Sequence, residues 1–343
     1  MNVIDTRKKL SDLFRTASHN AKQQNCFLCG KVQSSFCKSH LIPDFVIRNI
    51  AQDGYVITAS GVIDINDLVD TDMQVVDYNV GHKVAGIFQN ICRSCDSHHF
   101  FDYENEISLI DGPNNRMLAE IALKDHLMIL YKRSNEVELY KLLDQKLTTI
   151  EGKEILDNIH RQDIRDEQFQ FRRCKKIIDK HLKSGYQVIF STVLDWTTPI
   201  AVQTPIALYR DLKGKIVNNI YSESDKEIMR DCHLVVFPLS NKTVIILFYH
   251  RDDRNYYHFQ RQFSKLEYSM QLEMINYYIF KYSENYVLSP SIDSSLVHHA
   301  SLRKLSTEAG DIGELGLIDL KNLDRLYEAV NPSDIPNFLL MKI

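Results

Sequence analysis

Apolar residues recur at helical spacing through the middle of the chain. Between residues 111 and 185 they return every three or four positions, as they do along one face of an α-helix. Gly112 and Pro113 break the pattern at its start, and a charged helical stretch that begins at Arg161 runs to Gly185, a residue typical of helix ends. The pattern therefore predicts long helices that end at Gly185 and connect two domains.

The C-terminal region, residues 186–343, has the pattern of a mixed α+β domain. β-branched and aromatic residues gather in short runs bounded by Pro, Asn, Ser and Asp, which is typical of strands. Two of these runs, CHLVVFP and TVIILFYH, flank a predicted turn at Ser240, Asn241 and Lys242. Residues 263–285 then carry apolar positions at helical spacing, so we expect an amphipathic helix before a final strand.

In the first 110 residues the patterns typical of helices and strands extend over shorter segments. TRKKLSDLFRTA, near the start, has the spacing of an amphipathic helix, and GYVITASGVIDIND at residues 54–67 predicts a hairpin of short strands. The fold class that we predict is α+β, in three parts. These are a small module with an inserted hairpin at 1–110, a helical connector at 111–185, and an α+β domain at 186–343.

The composition is that of an ordinary globular protein. A chain of 343 residues is long enough for two cores, at roughly 100–200 residues per domain. No apolar run approaches the roughly 18–20 residues that span a bilayer, so we expect no membrane partner and a cytoplasmic location. The sequence also has no Walker A loop, GxGxxG, GxSxG or HExxH motif, which leaves nucleotide-cofactor functions and the common hydrolase classes without support.

Charge is unevenly distributed along the chain. The net charge of −4 argues against a protein coated in positive charge for non-specific nucleic-acid binding. Residues 1–50 differ, because they contain eight Lys and Arg against three Asp, a balance of +5. This segment could meet a phosphate backbone locally, or it could be the solvated face of a helix, and the sequence leaves both open.

Four of the seven cysteines form two C-x2-C pairs, with the 62 residues 30–91 between them. Soft thiolate ligands in this arrangement suit a closed tetrahedral zinc site, and a folded insertion can span the gap. The predicted ligands of a structural Zn2+ ion are Cys26, Cys29, Cys92 and Cys95. Cys37, Cys174 and Cys232 lack such partners, and we expect them in the core, with Cys37 near the site.

A histidine stands between the two pairs, in the sequence SHLIP at His40, and Asp96 follows the last zinc cysteine. The order C-x2-C, SHLIP, C-x2-C and then a predicted helix resembles the zinc-bearing treble-clef form of the HNH, or ββα-metal, endonucleases over roughly residues 24–106. In that family a histidine at the end of the first strand is the general base that activates water against the scissile phosphate. The resemblance therefore implies a treble-clef zinc module and a catalytic role for His40.

The resemblance also implies a catalytic Mg2+ or Mn2+ ion. Asp96 falls at the ligand position after the last zinc cysteine, and its carboxylate is the hard oxygen donor that such ions prefer. His99 lies one helical turn further on the same face. The resemblance implies that it is a further metal ligand or a phosphate contact. Ser39 falls where the family usually has Asp or His, so one charged metal ligand is replaced.

The function implied is the hydrolysis of DNA phosphodiesters by an HNH endonuclease, in phage, mobile-element or defence biology, with a regulatory partner or ligand at the C-terminal domain. The alternative is a non-catalytic, zinc-stabilised module that binds nucleic acid or protein and keeps a degenerate HNH site. His40 would then only bond a backbone carbonyl, and Asp96 would cap the helix after Cys95. Convergence of the candidate catalytic side chains and Ser39 on one open pocket would favour the enzyme.

Overall fold

The structure of the chain, a computed structural model, describes residues 3–59, 79–147, 150–219, 222, 224, 226–283, 285–306 and 330–343. Its helices are α1 (Val3–Asn20), α2 (Asp44–Arg48), α3 (Arg93–His99), α4 (Glu106–Asp111), α5 (Asn115–Leu147), α6 (Ile150–Asp179), α7 (Tyr256–Phe263), α8 (Tyr268–Tyr282) and α9 (Ser294–Val297). Its strands are β1 (Ser39–His40), β2 (Tyr55–Thr58), β3 (Asn79–Gly81), β4 (Ile87–Phe88), β5 (Tyr186–Leu194), β6 (Ile200–Ile206), β7 (Cys232–Pro238), β8 (Thr243–His250) and β9 (Tyr286–Leu288). The fold is mixed α/β, with a helical region in the middle of the sequence.

A seven-stranded sheet forms the middle layer, in the order β3-β2-β9-β6-β7-β8-β5, and its pairings are antiparallel. The interior strand β7, next to the central strand β6, is buried along its whole length, because both faces of the sheet are covered. Val235 and Phe237 face a core shared with the N-terminal module and α5, whereas Leu234 and Val236 face a second core with α7 and α8. The predicted turn at residues 240–242 joins β7 to β8, and α8 precedes β9 as expected.

The insertion between the cysteine pairs enters the main sheet. β2, from the segment GYVIT, pairs with β3 at Val56 and Val80, and with β9 at Ile57 and Leu288. The second strand predicted from GVIDIND, at residues 61–67, lies outside the described residues. The three-part division of the chain stays a prediction, and the pairing of β2 with β9 shows that its first and third parts share one sheet.

The second long helix ends at Asp179, so the predicted helix end at Gly185 is wrong. His181 takes a left-handed conformation with a φ of 49°, and its amide and the next one bond back to the carbonyls of Ile178 and Ile177. This is the Schellman arrangement, in which a left-handed residue, usually glycine, satisfies the last carbonyls of a helix. The sequence pattern misplaced the end because a histidine occupies the position where glycine is typical.

The N-terminal module packs on the face of the sheet that α5 also covers. The Asn49 side chain donates a hydrogen bond of 3.1 Å to the Pro238 carbonyl, and the Tyr103 ring stacks on Phe237 at 6.3 Å between centroids. α5 is buried on all sides from residue 117 to residue 128, because the module, α6 and the sheet surround it. Neither α5 nor any other helix in the described ranges combines the length and apolarity that a bilayer span requires.

Candidate functional site

The four cysteines of the two pairs meet in one cluster. Their sulfur atoms all lie within 4.8 Å of one another, and Sγ of Cys29 is 4.0 Å from Sγ of Cys92. A tetrahedral ion with Zn–S bonds of about 2.3 Å places its sulfur ligands about 3.8 Å apart, so the observed spacing fits such an ion. The prediction that the pairs converge is confirmed, and the cluster could hold a structural metal such as zinc.

Local backbone structure presents each pair. In the first pair the Cys26 amide bonds to the Lys31 carbonyl at 2.9 Å, and Gly30 closes the turn with a φ of 69°, a conformation that glycine adopts without strain. In the second pair Cys92 is the N-cap of α3 and Cys95 lies in its first turn. The Cys92 amide points at the Cys26 sulfur from 3.3 Å, which would stabilise a thiolate there.

The pKa shifts of the cysteine thiols predict that a metal ion competes with protons for the sulfur atoms. Burial raises the pKa of the Cys26 and Cys95 thiols, whereas the Lys31 amide is the main cause that lowers the pKa of exposed Cys29 to about 7. The buried thiols therefore keep their protons until a divalent cation displaces them. Metal affinity should consequently fall as the pH is lowered.

The candidate catalytic residues lie on one strand of an antiparallel pair, β1, and on the helix α3 that follows the second strand. β1 pairs with β4 through Ser39 with Phe88 and His40 with Ile87, and α3 begins shortly afterwards. Successive side chains of a strand face opposite sides, so Ser39 and His40 diverge. Ser39 is buried, with 1% of its surface exposed, and His40 is partly exposed.

Ser39 and Asp96, the two predicted ligand positions, are in direct contact. The Ser39 hydroxyl donates a hydrogen bond of 2.6 Å to Oδ1 of Asp96, whose side chain is 28% exposed. α3 is capped by Cys92 without a side-chain hydrogen bond, so the alternative prediction that Asp96 caps this helix is wrong. The Asp96 carboxylate is thus free of that role and is oriented by a neutral hydroxyl.

His40 is held by a backbone carbonyl, as the non-catalytic interpretation expected, yet this contact also suits a base. Its Nε2 lies 3.3 Å from the His82 carbonyl oxygen. Because a carbonyl only accepts, Nε2 carries the proton and Nδ1 is left with a lone pair. Burial is the largest cause that lowers the pKa of His40, so the ring is neutral at neutral pH.

His82 itself is fixed by a short chain of contacts with Asp44 and Arg48 that the sequence did not reveal. Its Nδ1 is 2.8 Å from Oδ1 of Asp44, and Arg48 bonds the other oxygen of Asp44 at 3.1 Å. These residues sit on α2 and on the turn after β3, and no motif links them. Within the sequence, the only hint is that Asp44 and Arg48 are spaced for an i, i+4 pair on a helix.

His99 does not contact Asp96 through any hydrogen bond or ion pair in the described part of the chain. Its Nδ1 donates to the Cys95 carbonyl at 2.9 Å, and the neighbouring His98 bonds Ser94 in the same way. This bond turns the His99 ring along its own helix and leaves Nε2 as the available ligand atom. Its predicted role as a metal ligand or phosphate contact stays a prediction.

A buried lysine approaches the candidate site from α5. Lys124 is 1% exposed, its ammonium bonds Glu104, and Nζ lies 3.9 Å from Oδ1 of Asp96. The ammonium also sits 4.5 Å from the centre of the Phe100 ring and 5.4 Å from that of Tyr103. It therefore places a positive charge beside Asp96, next to the position implied for a divalent ion. Lys124 lies in an apolar helical stretch of the sequence, and nothing in that stretch marks it as part of a site.

No family model matches the chain, and comparisons with curated proteins and with solved structures give no match. The resemblance to HNH endonucleases therefore rests on the sequence motifs. Ser39 contacts Asp96, but His40 faces the opposite side of β1 and His99 bonds its own helix, so the convergence expected of an enzyme is only partial. The predicted regulatory partner or ligand of the C-terminal region and the cytoplasmic location both stay predictions.

Proposed function

We propose that this protein is a metal-dependent HNH-type endonuclease that hydrolyses DNA phosphodiesters with His40 as the general base. Zinc would occupy the four-cysteine cluster in a treble-clef module, and Mg2+ or Mn2+ would bind at Asp96 and His99. One observation carries the proposal: the His82 carbonyl fixes the tautomer of a His40 ring that burial keeps neutral.

This arrangement of His40 matches what phosphodiester hydrolysis demands. The reaction needs a positioned base to take a proton from water and a cation to neutralise charge on the leaving oxygen. Nδ1 of His40 offers the lone pair for the first task, and the bound divalent ion would supply the second. Ser39 holds the Asp96 carboxylate in place through its hydroxyl, which reduces the reorientation needed to bind that ion.

Positive side chains around the cysteine cluster support a phosphate-bearing partner. A cleft of about 370 Å³ beside the cysteines is lined by Lys31 and Arg93, both exposed. A neighbouring cleft, which shares Phe36 with the first, is lined by Arg15 and Lys22. Such groups contribute to binding by neutralising phosphates, so binding of DNA should weaken steeply as salt is raised.

Cleavage by the purified, zinc-loaded protein tests the proposal. Supercoiled and single-stranded DNA are incubated with Mg2+ or Mn2+, and nicked, linear or shortened products are expected because the ion completes the site. Reactions without added ion are the control and should leave the DNA intact. Intact DNA with both ions would contradict an active endonuclease and favour the second candidate function.

The second candidate is a zinc-stabilised binding module without catalysis, and the Lys124 ammonium beside Asp96 favours it. In this case the lysine replaces the divalent ion, since its single positive charge already neutralises the carboxylate. Its bond to Glu104 and its position over two aromatic rings hold it there. The module would then bind nucleic acid or protein through its surface.

Lys124→Met tests this replacement directly. Methionine fills a similar volume without charge, and losing one partner of a buried ion pair costs about 3–5 kcal/mol, so a lower Tm is expected. If the lysine replaces an ion, Mg2+ should raise the Tm of the variant more than that of the wild type. The exposed Lys180→Met is the control and should change neither value. An equal Mg2+ response in variant and wild type would sink the replacement hypothesis.

A further inference from the structure

A second group of metal-binding side chains lies between the long helices and the sheet. His126 comes from α5, Glu167 from α6, and Asp231 from the residue before β7. One donor atom from each of the three lies within 4.8 Å of the others. The group is separate from both the four cysteines and the Ser39–Asp96 pair, and the HNH resemblance does not extend to it.

A hydrogen bond links two members of this group, His126 and Glu167, but does not include Asp231. Nδ1 of His126 bonds Oε2 of Glu167 at 2.7 Å. Asp231, by contrast, is only 8% exposed, and no hydrogen bond or ion pair reaches its carboxylate from the described ranges. Burial, and then the charge of Glu167, raise the pKa of Asp231 to about 7. A buried carboxylate beside a second carboxylate is costly when both are charged, and a divalent cation bound between them would compensate both.

The charge of His126, itself a member of the group, lowers the pKa of Asp231, whereas two other nearby side chains, Arg173 and His233, bond other carboxylates. Arg173 is committed to Asp253, which it contacts through two bonds of 2.9 and 2.8 Å. His233, whose ring meets that of His126 edge-on at 5.2 Å, bonds Asp125 at 2.7 Å and has its pKa lowered well below the usual value, mainly by burial. Burial raises the pKa of Asp125 well above its ordinary value, and its other oxygen is buried without a hydrogen-bond partner.

We propose that His126, Glu167 and Asp231 bind a divalent first-row transition metal such as Mn2+. One imidazole and two carboxylates are ligand types that suit such ions, and the two negative charges match the ion's charge. Binding would displace the proton that lies between His126 and Glu167. The ion would tie α5, α6 and the start of β7 together, so its expected role is to clamp the long helices onto the sheet.

Binding of Mn2+ to the zinc-loaded full-length protein tests the site. Equilibrium dialysis against Mn2+ measures the bound ion, and thermal unfolding with and without Mn2+ measures the shift in Tm. Asp231→Asn keeps the side chain's shape but removes its charge, so it should lose one bound Mn2+ and most of the shift. Asp157→Asn, an exposed position on the same helix as Glu167, should behave as the wild type.

Two further variants separate this site from the candidate endonuclease site. Asp96→Asn should keep the Mn2+ ion that Asp231→Asn loses, whether or not the protein cleaves DNA. Zinc content and circular dichroism report whether Asp231→Asn folds. If it folds poorly, Glu167→Gln serves as the second variant that should lose the Mn2+ ion. Wild-type protein that binds no Mn2+, or an ion lost only with Asp96→Asn, would overturn the proposal.

Discussion

Replacing Cys95 with serine is expected to remove the bound metal and to unfold the N-terminal module. A serine hydroxyl is a poor ligand for zinc, and structural zinc in small peptides is bound with an apparent free energy of about 10–16 kcal/mol. Cys95 and Cys26 belong to the same buried core as α5, so loosening the cluster exposes that core as well. We expect zinc content to fall to background and the free energy of unfolding to drop by more than about 4 kcal/mol.

Cys37→Ser is the matched control for Cys95→Ser. Cys37 lines the same cleft, and its thiol donates to the Ile91 carbonyl at 3.3 Å, a bond that a serine hydroxyl can also make. Metal content and denaturant midpoint should therefore stay close to those of the wild type. A Cys95→Ser protein that keeps its metal and its stability would remove the four-cysteine cluster as a metal centre, as would metal loss in the control alone.

The sequence predicted features of this molecule that depend on local pattern and on residue chemistry. Two C-x2-C pairs indicated a metal cluster because thiolate ligands at that spacing have few other uses in a long chain. The strands β7 and β8 and the helix α8 were predicted from β-branched runs and from apolar periodicity. For the strands and the helix the signal lies within about twenty residues, and for the cysteines it lies in two short pairs; neither needs knowledge of what packs against them.

Features that depend on packing between residues far apart in the sequence could not be predicted from the sequence. The pairing of β2 with β9 joins Ile57 to Leu288, and local patterns do not specify which exposed strand edge a short strand will meet. Lys124 approaches Asp96 only because α5 packs across the module. The same holds for Asp231, whose partners come from two helices far away in sequence. A buried polar residue in a helical pattern looks like an ordinary exposed one until the helix is placed.

The candidate site also contains some features that the sequence predicted and others that it did not. The resemblance placed Ser39 and Asp96 at two ligand positions of one metal ion, and the two side chains do form a hydrogen bond. A backbone carbonyl was one expected partner of His40, but its source, His82 in the insertion between the cysteine pairs, was not foreseen. The bond that fixes the tautomer of His40 is therefore one that no motif contains.

His40→Ala is expected to reduce DNA cleavage by about 10²–10⁴-fold, the usual contribution of a general base. The variant should keep the fold, because His40 lies at the partly exposed end of β1 and its side chain makes one hydrogen bond to the described residues, to the His82 carbonyl. His98→Ala is the matched control: His98 is exposed and bonds only its own helix, so its loss should leave the rate unchanged. Zinc content should equal that of the wild type in both variants.

The pH dependence of kcat/KM distinguishes a catalytic role for His40 from a structural one. A general base works when deprotonated, so activity is lost as the pH falls through its pKa. Because burial lowers the pKa of His40 below its ordinary value, wild-type activity should persist below about pH 6.5 before it declines. His40→Ala should have lower activity without this acidic decline, whereas His98→Ala should retain it. An unchanged acidic limb in His40→Ala would show that another group titrates, and wild-type rates in that variant would remove His40 from the mechanism.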